Sequence, residues 1–77
     1  MSMNTPITMT PEQWMQSLFG TQSAQGGRVL RRKLDHIDRY VGRDRFVAEL
    51  KRRGYHAVTN AGQMIIFCNN EPVRIVL

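Results

Sequence analysis

The chain has 77 residues and a mass of 8.9 kDa, enough for one small domain and too little for a multidomain enzyme, since a chain this short buries only about 60% of the surface its unfolded form exposes. Hydrophobic residues at 42% and charged residues at 22% exclude wholesale disorder, and the longest apolar run, Met64–Cys68, has the length of a strand and not the roughly 20 residues of a membrane helix. The net charge of +5 is concentrated: ten of the eleven basic residues fall between Arg28 and Arg53 against four acids, and nine of the eleven are arginine, whose planar fork suits phosphate or carboxylate.

Residues 1–9 are polar, contain a proline and show no periodicity, which predicts a flexible arm with no secretory signal and a cytoplasmic compartment. Thr10, Pro11, Glu12 and Gln13 then spell a capping box with proline at the first helical position, and Met9 and Trp14 take the two places of a hydrophobic staple. The spacing predicts a helix over Pro11–Phe19 carrying Trp14, Met15, Leu18 and Phe19, with Gly20 as a left-handed cap. Residues 21–27 (TQSAQGG) have the composition of a flexible linker, leaving this helix able to dock on a partner or on a second copy.

From Leu30 the apolar residues fall at Leu30, Leu34, Ile37 and Val41, spacings of four, three and four that predict a helix ending at Gly42. A short strand over residues 28–33, with the helix starting near Leu34, is the alternative. Asp44–Arg53 predicts a third helix with Phe46, Val47 and Leu50 on one face, three cations in its last turn and Gly54 as its stop. The period then changes to two, predicting strands near Tyr55–Thr59, Met64–Cys68 and Val73–Val76 joined as a meander. The middle strand is apolar at every position, as suits a central strand covered on both faces or one whose second face meets a partner. The expected domain covers residues 28–77, with Leu34, Ile37, Val41, Phe46, Leu50, Val58, Ile66 and Ile75 as its core. The fold class is α+β, two or three helices on a small three-stranded antiparallel sheet, in a winged-helix-like or dsRBD-like arrangement.

In the winged-helix reading Val41–Gly42–Arg43 is the turn, Asp44–Arg53 the recognition helix and the hairpin after it the wing. Arg45, Ala48 and Arg52 share the face opposite Phe46 and Leu50, so two arginines flank a small residue that lets a helix approach a groove. The plainer reading of the same charges is a solvated face laced by pairs such as Asp35 with Arg39 and Glu49 with Arg53. Enzymatic material is sparse. His56 and Cys68 fall on neighbouring strands, as a base and its nucleophile would, yet a lone cysteine in an apolar strand is more often a small core residue. No histidine or cysteine spacing suits a metal, so no cofactor is expected.

The stretch FVAELKRRGYHAVTNAGQMIIFCN, residues 46–69, is similar to the helix-to-strand unit of HicA-type RNA-cleaving toxins, small domains with a dsRBD-like αβββα fold. The catalytic histidine of that family belongs in or just after the glycine turn, where this sequence has Ala61, Gly62 and Gln63, so the resemblance implies binding to structured RNA through a basic helix without the cleavage. More of the chain, MTPEQWMQSLF, RRKLDHIDRYVG and RRGYHAVTNAGQMIIFCNNEPVR, resembles a group of short alphaproteobacterial proteins. Some of that group carry the name phosphoribosylanthranilate isomerase, an enzyme whose eight-stranded barrel 77 residues cannot close.

The expected function is that of a small, basic, non-enzymatic and regulatory nucleic-acid-binding protein using Arg28, Arg32, Arg39, Arg45, Lys51, Arg52 and Arg53 against DNA or RNA phosphates. The alternative is a protein-binding adaptor, in which Trp14, Met15, Leu18 and Phe19 or the strand at residues 64–68 form the contact and the arginines meet an acidic protein surface. A homodimer is expected to cover these apolar groups, and no membrane partner is expected.

Overall fold

The computed structural model describes residues 9–77, an α+β fold with four helices and one three-stranded antiparallel sheet. The expected arm lies, apart from Met9, outside the described residues. Helix α1 (Pro11–Phe19) begins with the capping box: Thr10 Oγ1 accepts from the Gln13 N–H at 3.1 Å and Gln13 Oε1 accepts from the Thr10 N–H at 2.9 Å. The left-handed cap expected at Gly20 does not form, because φ is −86° and the chain turns directly into another helix. Glycine is needed there for closeness instead: a Cβ would stand 2.9 Å from the Gln16 carbonyl oxygen.

Residues 21–27, expected as a flexible linker, contain helix α2 (Gln22–Gln25). Thr21 Oγ1 caps it by accepting from the Ala24 N–H, and Ala24 is small enough to be buried in the core, so α1 is held against the domain. The helix expected over Leu30–Val41 is divided into strand β1 (Val29–Lys33) and helix α3 (Leu34–Tyr40), which is the alternative of a strand over residues 28–33. The four-three-four stripe misleads because both conformations bury its members: Leu30 enters the core from the strand and Ile37 from the helix. Two backbone hydrogen bonds of 2.9 Å pin the ends of β1, from the Leu34 N–H to the Gly62 carbonyl and from the Cys68 N–H to the Arg28 carbonyl.

Helix α4 (Arg43–Arg53) ends on left-handed Gly54, and β2 (His56–Asn60) and β3 (Gln63–Phe67) follow as a hairpin. The sheet order is β1-β3-β2, so β3 is central as expected, but its second neighbour is β1, and the helices cover only one of its faces, leaving Ile65 and Phe67 half-buried on the other. The strand expected at Val73–Val76 does not form, since β1 already holds that edge of β3; Ile75 is 91% exposed instead of being in the core. Val58 also leaves the expected core at 45% exposure, because its parity places it on the sheet face away from the helices. Of the other expected core residues, Ile37, Phe46, Leu50 and Ile66 are buried, while Leu34 and Val41 pack partly buried against them.

Phe46, fully buried, is the centre of this core. Its ring stacks on Phe19 at 5.9 Å and meets the edge of Trp14 at 6.1 Å, which ties α1 to α4. Among the described residues no helix is long and apolar enough to cross a membrane.

Candidate nucleic-acid interface

The sheet divides the cations of residues 28–53 between two sides. Leu30, Met64 and Ile66 point from the sheet into the helices, so by alternation Arg31 and Lys33 stand on the opposite, open face, beside Ile65 and Gln63. On the helix side Ile37 and Phe46 are buried, which turns Arg39 of α3 and Arg45, Ala48 and Arg52 of α4 outward, all exposed. The helical-wheel expectation for α4 therefore holds in its exposure pattern. Arg28 is exposed just ahead of β1, and Lys51 is exposed on α4. Arg32 is half-buried, its Nη1 donating to the Arg31 carbonyl at 2.8 Å and its stem lining a cavity of about 190 Å³ with Met9, Trp14 and Leu18.

Carboxylates pair with all four α4 arginines. Arg52 donates twice to Glu49, at 3.0 and 2.6 Å, and Arg53 donates to the same carboxylate at 2.6 Å. The two guanidiniums hold the Glu49 carboxyl down at about 2, with the Arg52 hydrogen bonds as the largest cause. Arg53 is half-buried with its guanidinium 4.3 Å over the Phe19 ring, which makes it a part of the core's edge and takes it out of the expected contact set. Arg45 reaches Glu12 of α1 at 3.4 Å. Arg43 forks onto Asp38 at 3.0 and 2.9 Å across the Val41–Gly42 turn, and this bonding keeps the Asp38 carboxyl below its ordinary range. Glu49 with Arg53 is thus a real pair, while Asp35 with Arg39 is not an ion pair among the described residues.

No family model, curated protein or solved structure matches this chain.

The apolar contact surface expected on α1 is not offered to a partner. Met15, Leu18 and Phe19 are buried in the chain's own core, and Trp14 stacks on Tyr40 at 5.9 Å with ring planes 11° apart. The tether that would have freed this helix is folded as α2. In β3, Met64 and Ile66 are likewise internal, as is Cys68 just after it, which leaves Ile65 and Phe67 half-buried on the open face.

His56 and Cys68 do not meet as base and nucleophile. His56 pairs with Phe67 on the open face, and Cys68, one residue farther on, points into the core, where burial pushes its thiol above the ordinary value. Three cations escape the sequence reading: Arg31 and Lys33 on the open sheet face, and Arg43 at the turn. Strand alternation after Gly26–Gly27 is the signal that finds the first two, and the helical stripe through Leu30 masks it.

Proposed function

We propose that this chain binds nucleic acid through the outer face of α4, in a non-catalytic, regulatory role. The observation that carries the reading is the order of elements from α1 onward: a helix followed by the four-residue α2, a strand, a helix, a two-residue turn, a helix, then a hairpin whose second strand pairs with the first strand. That order suits a winged helix-turn-helix and departs from αβββα, because β1 precedes α3 and α4. In it α4 takes the recognition position with Arg45, Ala48, Lys51 and Arg52 outward, and the β2–β3 hairpin is the wing.

The ion pairs on α4 are compatible with this reading. Arg45 and Arg52 are more than half exposed, and a solvent-exposed pair is worth only about 0–1 kcal/mol, so a phosphate can exchange with the carboxylate at little cost. The absence of a base-stacking aromatic among the outward residues of α4 favours phosphate contact, which discriminates weakly among sequences. The adaptor reading has lost its α1 surface and stands second.

The test is binding of labelled duplex DNA and structured RNA at several salt concentrations by the wild type and by an Arg45→Ala, Arg52→Ala double variant. The wild type binds with a salt-dependent affinity, and the variant keeps its far-UV spectrum while its slope of log K against log salt falls by up to about two. Absence of wild-type binding at low salt, or an unchanged slope in the folded variant, overturns the reading. Capture of an acidic protein in place of nucleic acid would return the adaptor to first place.

A further inference from the structure

The sheet has two outer edges, and they are not alike. Strand β1 carries three consecutive cations, Arg31, Arg32 and Lys33, the kind of charge that protects an edge from adding another strand. Strand β2 carries HAVTN, with no acid, lysine or arginine, and among the described residues no strand pairs with its outer side. Next to that side runs a mostly apolar groove of about 510 Å³ between β2 and α4, lined by Val47, Leu50, Tyr55, Ala57 and Met64 together with the cation Lys51 of α4. The Ala61–Gly62 turn, with φ of 52° and 76°, is a two-residue hairpin turn that makes Asn60 and Gln63 a hydrogen-bonded pair. Counting back in twos, Ala57 and Thr59 direct their N–H and C=O groups to the free edge above the groove.

A strand without a sheet lies elsewhere in the same chain. Val73–Leu77 (VRIVL) has the composition of a strand, but β1 occupies the place beside β3 that it would take. Ile75, Val76 and Leu77 are each more than nine-tenths exposed.

We propose that Val73–Leu77 of one chain adds as a strand to the outer edge of β2 in a second copy, seating Val73, Ile75 and Leu77 in the groove beside α4. The match is one of length, period and charge. Segment and strand are five residues each, and alternation sends the three apolar side chains toward Val47, Leu50 and Met64 while Arg74 and Val76 face the open side near Val58. Arg74 disfavours the cationic β1 edge and meets no like charge on β2. Reciprocal exchange closes two tails on two grooves about a two-fold axis, so the assembly stops at a dimer.

The test is sedimentation with amide hydrogen exchange on the full chain at concentrations up to on the order of 100 µM. The wild type sediments at twice its 8.9 kDa mass, with the Ala57 and Thr59 amides slowed in exchange as the dimer forms. Ile75→Asp, at a side chain exposed in the single chain, gives a folded monomer in which both amides exchange fast. Thr59→Pro, which removes one edge donor on the groove side, also gives a monomer. A wild-type monomer throughout, a dimer that Ile75→Asp leaves intact, or a monomer whose Ala57 and Thr59 amides are protected at every concentration overturns the proposal, the last result because the chain's own tail then fills the groove.

Discussion

Glu49→Gln separates what α4 does for the fold from what it offers to a ligand. The Glu49 carboxylate receives three hydrogen bonds from Arg52 and Arg53, which hold it at about 2 against an ordinary 4.5. Taken whole, that difference is worth about 3 kcal/mol of folding stability. The Arg52 side chain is 68% exposed, so water screens much of the attraction, and about 1 kcal/mol should survive in a measurement. The carboxyl is more acidic folded than unfolded, so its stabilisation is complete above about pH 4.5 and fades as pH falls toward 2. Urea unfolding should therefore show Glu49→Gln weaker than wild type by about 1 kcal/mol at pH 7, with the two converging at acid pH. The same variant releases the exposed Arg52, whereas Arg53 stays over Phe19, so Arg52 reaches a phosphate without first leaving a carboxylate and nucleic-acid affinity should rise with the number of phosphate contacts unchanged. Equal stability at neutral pH refutes the electrostatic account. A folded variant with unchanged nucleic-acid affinity refutes the role given to Arg52.

Phe46→Ala removes the fully buried ring that joins α1 to α4, and should cost about 3–5 kcal/mol, most of the stability of a domain this small, read by urea unfolding with Trp14 fluorescence as the probe. Cys68, buried and with its thiol pushed up by that burial, should react with a maleimide only slowly in the native state and rapidly in urea; fast native labelling would contradict its place in the core.

The candidate site was legible where side chains act within one element. The outward set Arg45, Ala48 and Arg52 follows from helical geometry alone, once Phe46 and Leu50 are seen to be the inner face. What sequence could not give is which charges are taken. Arg45 meets Glu12 from 33 positions away, Arg53 is drawn over Phe19 of another helix, and Arg31 is turned to the far side of the sheet by a strand that a helical stripe concealed. Each of these depends on a contact between elements, and charge density along the chain is blind to it.

The sequence by itself determined the elements whose signals are local: the capping box of α1, the span and glycine stop of α4, and a hairpin around Gly62 whose apolar second strand lies in the middle of the sheet. Competition between segments was left to the tertiary structure. Val29–Lys33 and Val73–Leu77 can both pair with β3, and only one edge of β3 remains once β2 has taken the other. β1 wins because Leu30 then enters the core and α3 continues directly from it with Ile37 beside Phe46, gains that exist only when all of these elements are assembled. The loser keeps its strand chemistry and its exposure.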